Sequence, residues 1–320
     1  MKRTGSKILA TLAVMAALLS STSPAPAWEQ QPTHVRLTHR AFQEDVVPLT
    51  AILKEINLTP ETELKPRLLP ELVPVKEYLR FAKATATTIA IDVPVILTDL
   101  ILAGAELEDY PNLPREGING EPDPLYAMIG GSRASHHFHD PDRERPGMDN
   151  RGRVKTWVAM EYTGGLMDLT GVSAANRAMG RSPGPFGGED TARARPANHF
   201  DWPHARGFLE RALTQRDPGD RSGYFALLFL SLGHLMHLVE DMAVPAHARN
   251  DFVRDHAVSR FSPVEENLEA YSMTHMTGYI ENLVSSQVRP VVKGRLADYW
   301  DTDGGEKPLG LAEISHHNFL

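Results

Sequence analysis

Cysteine is absent from the 320 residues. Such a chain has no disulfide to staple it and no thiolate to offer a metal, so its stability rests on packing or on a metal held by nitrogen and oxygen ligands. An excess of positive charge is also missing: 33 Lys and Arg stand against 41 Asp and Glu, a net charge of −8. This balance does not suit a general polyanion binder, which needs a basic surface to release counterions, and no stable nucleic-acid complex is expected. Strand signals are scarce, whereas apolar residues recur at helical spacing, which favours an all-α architecture. Neither an internal repeat nor a clear linker divides the chain, and nothing in it points to a protein partner.

Long hydrophobic runs are lacking too. The first residues carry Lys2, Arg3 and Lys7, then an apolar run over 8–19 and the small-x-small sequence Ala25-Pro26-Ala27. That is the pattern of a signal peptide spanning 1–27, with Trp28 expected as the first mature residue. The run is too short for a permanent anchor, and no later segment is both long enough and free of charge. A secreted or periplasmic product is therefore expected, with one helical domain over 28–320. Residues 1–27 hold those three bases and no acid, so their removal takes the net charge from −8 to −11.

All 14 histidines lie beyond residue 27. Periodicity predicts helices over 34–56 (disturbed at Pro48), 72–107 (broken near Pro94), 163–180, 204–216, 221–243, 263–286 and 288–300. Loops rich in Pro, Gly and charge are expected at 110–124, 140–153 and 182–203. The stretch GYFALLFLSLGHLMHLVE, 223–240, is apolar on nearly every face and reads as a central helix buried on all sides. His234, His237 and Asp241 interrupt its second half. A buried carboxylate is costly unless paired or bound to a cation, so Asp241 needs a partner.

His237 and Asp241, four apart, share one helix face. Pro245 is expected to end the helix and let the chain present His247 beside that face. Imidazole and carboxylate are the ligands open to a cysteine-free zinc site. The same spacing also suits a hydrogen-bonded His–Asp pair with an unrelated surface histidine.

The segment HLVEDMAVPAHARN, 237–250, resembles a motif of the bacterial zinc-dependent phospholipase C family, to which fungal single-strand nucleases are related. HFHDPD at 137–142 resembles the family's His-Phe-Tyr-Asp-Pro segment, with His139 in place of tyrosine. LEDY at 107–110 resembles its Asp-Tyr pair, and Trp28 its amino-terminal tryptophan. The four motifs fall in the family's order.

The resemblance implies a multi-helix bundle around a cluster of two to three zinc ions. Asp109, His137, His237 and Asp241 would hold the first ion. The α-amine and carbonyl of Trp28 would hold the second with His34 and a bridging Asp241, His39 being the alternative to His34. His247 and Glu266 would serve the third. There the chain departs from the family, with Ser262 where a histidine is expected. Ser262-Pro263-Val264-Glu265 reads as a capping box that leaves Glu266 free to ligate, and His256, Asp251 or Asp255 could complete the site.

The implied activity is zinc-dependent hydrolysis of phosphoric esters, most simply phospholipase C-type cleavage of phospholipids with transient contact to a membrane surface. Asp109 is the catalytic candidate, as ligand, as base, or as both. Single-strand nuclease or nucleotidase action, or a non-catalytic zinc-stabilised protein, are the alternatives. Weak preference for choline headgroups is expected. Tyr110 matches one aromatic residue of the family's cation site, but Gln31 and Ala134 stand at its other two positions. His234 is read as a hydrogen-bonding or core residue rather than a ligand.

Overall fold

A computed structural model describes residues 33–43, 49–65, 67, 94–108, 137, 139, 141, 153–155, 170–180, 200–249, 291–302 and 308–318. These residues are mostly helical. In chain order they form α1 (Val35–Gln43), α2 (Leu49–Glu55), β1 (Glu63–Leu64), β2 (Val95–Ile96), α3 (Leu97–Leu107), β3 (Arg153–Lys155), β4 (Thr170–Val172) and α4 (Ala174–Ala178). Then come α5 (Trp202–Thr214), α6 (Pro218–Glu240), a 3-10 turn (Asp241–Ala243), α7 (Pro245–Ala248), a second 3-10 turn (Leu296–Tyr299) and α8 (Leu311–Asn318).

The 23-residue α6 is the axis of the fold. It begins at Asp217, whose carboxylate accepts from the amides of Gly219 and Asp220 at 2.8 and 3.0 Å, with Pro218 at the first helical position. The acceptor role holds the Asp217 carboxyl below its ordinary range, chiefly through the Asp220 amide. From Gly223 to Leu230 every residue of α6 is buried. The span Pro218–Ala243 is long and apolar enough to cross a membrane, but 78% of its most apolar window is buried inside the protein.

α3 and α5 pack along α6. α5 has a narrow apolar stripe, with Ala205, Phe208 and Ala212 buried, and starts at Asp201, which accepts from the His204 amide at 2.9 Å. Leu97, Leu100, Ile101 and Leu107 of α3 meet Leu227, Leu230 and Leu238 of α6 in one core. Each such side chain removed from water contributes about 1.5–3 kcal/mol. α1 presents a stripe of His34, Thr38 and Phe42, all buried and each one turn from the next.

The carboxyl-terminal segment closes the end of α6. Trp300, fully buried, donates its indole N–H to Leu238 O at 3.0 Å, satisfying a carbonyl of the last helical turn. Glu313 on α8 accepts from Thr302 N, Thr302 Oγ1 and Gly310 N at 2.8–2.9 Å, which repays the burial of its charge.

Several expected boundaries hold and others move. The break near Pro94 is present, because β2 pairs antiparallel with β1 (Glu63 opposite Ile96, Leu64 opposite Val95) before α3 begins. The helix expected over 163–180 is corrected. Thr170-Gly171-Val172 is a strand paired with Arg153–Lys155, and among the described residues of that span helix is present at Ala174–Ala178, ended by Gly180 at φ +69°. β-branched residues around a glycine favour that outcome. Of the helix expected over 288–300, the described residues from 291 on hold the 3-10 turn Leu296–Tyr299, after the exposed Val291 and Val292 and Gly294. The central helix gives way to 3-10 geometry at Asp241 instead of continuing to 243. α8 was not expected at all. The helix expected over 263–286, the signal peptide and the part of 72–107 before Pro94 lie outside the described residues.

Candidate metal centre

Four chain segments deliver imidazoles to one buried carboxylate. Asp241 stands at the first position after α6, four residues from His237, and its amide bonds back to His237 O. His237 lies fully buried where α6 crosses α3, and its Nδ1 donates to Ala105 O at 2.6 Å. The carbonyl can only accept, so the proton of a neutral His237 ring sits on Nδ1 and the Nε2 lone pair faces Asp241 Oδ2 at 3.5 Å.

His34, at the entrance to α1, stacks on His237 with ring centroids 3.7 Å apart. Its Nε2 is 3.3 Å from Asp241 Oδ1 and its Nδ1 2.9 Å from Glu240 Oε2. His137 meets the His237 ring at a steep angle and brings Nδ1 to 3.0 Å from Asp241 Oδ2. After the 3-10 turn, Pro245 opens α7 and turns the chain so that His247 returns, its Nδ1 donating to His137 O at 3.0 Å and lying 3.8 Å from Asp241 Oδ1. The backbone closes the same junction, with His139 N donating to His247 O at 3.0 Å. The expected turn at Pro245 is thus present, though Pro245 starts a new helical turn rather than merely ending the old one.

Burial pushes the Asp241 carboxyl up, but His237, His247 and His137 outweigh it and hold the group well below the ordinary carboxylate range. At His34, burial and the neighbouring His237 lower the imidazole pKa, whereas Asp241 and Glu240 raise it further, leaving it above its ordinary value.

One ligand atom from each of His34, His237 and Asp241 lies within 4.8 Å of the other two, so this fully buried group can hold a metal ion. The donor chemistry fits. Among the described residues, neither Asp241 oxygen receives a well-directed hydrogen bond although both are shielded from water, an arrangement that a cation would compensate. Two imidazoles and a carboxylate are ligands that zinc accepts. The resemblance divides His34 and His237 between two ions, whereas here their ligand atoms converge with Asp241 on one position. Of the two histidines open at the amino-terminal segment, His34 enters the group and His39 sits half-buried on another face of α1.

Trp28, Asp109, Glu266, Ser262 and His256 lie outside the described residues, as do Gln31, Tyr110 and Ala134. His204 pairs with Asp201 at the start of α5.

Sequence reasoning missed three side chains that shape the site. Glu108, fully buried, accepts from Arg177 Nε at 2.6 Å, contacts His234 Nδ1 at 2.5 Å and comes within 3.8 Å of His137 Nε2. His234 both joins this network and stacks on Phe200, so each role expected of it is present. Arg177 reaches Glu108 from α4. Glu240 joins His34 and Thr38. A signal for Glu108 existed: it continues the stripe Leu97, Ile101, Gly104 and Ala105 that α3 turns toward α6.

No protein-family model, curated protein or solved structure matches the chain.

Proposed function

We propose that this chain is a zinc-dependent phosphoric-ester hydrolase of phospholipase C type, built on a phospholipase C/nuclease-like helical bundle. The observation that carries the reading is the convergence of His34, His137, His237 and His247 on the buried Asp241. These five residues belong to the set that the motif resemblance selects. His34, His237 and Asp241 would hold one ion. His137 and His247, next to them, would extend the centre toward a second and third ion with Trp28, Asp109 and Glu266.

Zinc in such a site supplies positive charge beside a phosphoryl oxygen and brings the pKa of water toward neutrality. The chain's own residues do the rest. Asp241 balances the positive charge of the centre. The oxygen acceptors at Nδ1 of His34, His237 and His247 keep those rings from turning. Asp109, if it reaches the same cleft as the motif implies, orients the attacking water or takes its proton. The net charge of −11 without the signal peptide favours a phospholipid over a nucleic-acid polyanion as substrate.

The test is release of phosphorylated headgroup from phospholipid vesicles compared with release of nucleotides from single-stranded nucleic acid, before and after chelation and zinc return. Headgroup release that disappears with chelator and returns with zinc is the expected result. Nucleotide release alone would move the substrate to the nuclease branch. Zinc binding without either activity would leave a structural metal centre.

A further inference from the structure

Glu240 is the last residue of α6, next to the candidate ligand Asp241, and its two oxygens are used separately. Oε1 accepts from Thr38 Oγ1 at 2.8 Å and Oε2 contacts His34 Nδ1 at 2.9 Å. His34 and Thr38 lie one turn apart on the inner stripe of α1. One carboxylate therefore docks the amino-terminal helix on the end of the central one across 206 residues of sequence. We propose that Glu240 is a positioning residue, holding His34 with Nδ1 protonated so that its Nε2 lone pair is delivered to a metal shared with Asp241 and His237. The inference rests on reading this group as a metal centre.

An ionised carboxylate can only accept, so a hydrogen bond from His34 Nδ1 requires the proton to be there. A neutral ring then carries its lone pair on Nε2, the atom 3.3 Å from Asp241 Oδ1. His237 and His247 are fixed in the same sense by the carbonyls of Ala105 and His137. Among the described residues, the Nδ1 acceptor of His34 is a carboxylate where those of His237 and His247 are carbonyls, which makes His34 the more basic ligand as well as an oriented one. Glu240 does this through His34 and not as a ligand of the ion.

Zinc dissociation constants, measured on the full chain by competition with a chelating dye, test the proposal in wild type, Glu240→Gln and Glu240→Leu. Glutamine retains an oxygen for the His34 N–H and an amide for the Thr38 hydroxyl, so it removes charge while keeping the geometry. Leucine removes both. Zinc binding should weaken roughly 10-fold in Glu240→Gln and up to about 100-fold in Glu240→Leu, the range typical of lost outer partners of metal-bound histidine. Nitrogen-15 histidine spectra of the zinc-loaded protein should keep the His34 Nδ1–H tautomer in wild type and Glu240→Gln and show it mixed in Glu240→Leu. Zinc affinity unchanged in both variants, or a zinc-loaded wild type whose His34 carries its proton on Nε2, overturns the proposal, and the tautomer measurement stands even if Glu240→Leu does not fold. A wild type that binds no zinc overturns the metal centre itself, and the inference with it.

Discussion

Gly104 on α3 and Gly233 on α6 face each other where the two helices cross. A Cβ built on Gly233 would lie 2.9 Å from Gly104 Cα and 2.8 Å from Ala105 N, and would collide with Ile101 O. One built on Gly104 would meet Gly233 Cα at 3.0 Å and collide with Leu230 O. The obstructing atoms are backbone, so no side chain can swing aside. This close approach brings Ala105 O within reach of His237 Nδ1, and so links helix packing directly to the orientation of a candidate ligand. Gly233→Ala should therefore destabilise despite the better helix propensity of alanine, by about 1–3 kcal/mol as for other overpacked cores. Urea denaturation measures that loss, and zinc affinity should fall in parallel.

Among the described residues, Asp241 is the side chain that all four imidazoles approach. Asp241→Asn retains its shape and removes the charge that a cation would use. Zinc at about a thousand times its dissociation constant should stabilise the wild type by roughly 4 kcal/mol, seen as a raised melting temperature. The same zinc should leave the Asp241→Asn melting temperature nearly unchanged. Thermal melts with and without zinc check this without reference to any substrate.

The legible part of this molecule is the part governed by local pattern. The unbroken apolar surface of 223–240 identified the central helix, and the four-residue spacing of His237 and Asp241 placed both on one face of its end. Pro245 marked the turn that returns His247. The illegible part depends on partners far away in sequence. Glu108 and Arg177 are ordinary charged residues until α4 is packed against the end of α3, and Glu240 looks like a helix-end carboxylate until α1 docks. The strand Thr170–Val172 was hidden because its partner, Arg153–Lys155, is not adjacent to it in sequence. Local propensity also could not reveal α8, a short helix held by the acceptors of Glu313 and by the Trp300 carbonyl.

The metal-free protein should show a stability window set by two groups of the centre. His34 has a folded pKa above the ordinary 6.5, so its contribution is complete below about that pH and disappears as pH rises through the folded value. Asp241 has a folded pKa well below 3.8, so its contribution is complete above about that pH and is lost as pH falls through the folded value. Between roughly pH 4 and 6.5 both contribute, and denaturation of the zinc-free chain should show their combined effect there. Zinc must displace any proton on His34 Nε2, so its affinity should rise with pH across the folded His34 pKa. Calorimetry in buffers of different ionisation enthalpy should detect the proton released. Binding that is independent of pH from 6 to 8, with no proton release, would contradict this account.

The Glu108–Arg177 pair should behave as a buried ion pair whose halves cannot be removed singly. Arg177 Nε meets Glu108 Oε1 at 2.6 Å, and the two side chains are 8% and 0% exposed. In that setting the Coulomb attraction mainly repays desolvation, so the pair itself adds little beyond what a well-packed apolar pair would give. Glu108→Leu, however, takes from a buried guanidinium the carboxylate that balances its charge, and from His234 Nδ1 its contact at 2.5 Å. The loss should be about 3–5 kcal/mol by urea denaturation. The Glu108→Leu, Arg177→Met double variant should recover a large part of it, because the uncompensated charge is gone, while the deficit at His234 stays. A positive coupling energy in this double-mutant cycle is the expected outcome; additive losses would show that the guanidinium is balanced elsewhere. Zinc affinity supplies a second readout. Glu108 reaches His137 only at 3.8 Å and takes no part in the His34, His237 and Asp241 group. Folded variants at Glu108 should therefore keep most of their affinity for the ion held there, whereas Asp241→Asn should not, which separates the stabilising carboxylate from the one offered to metal.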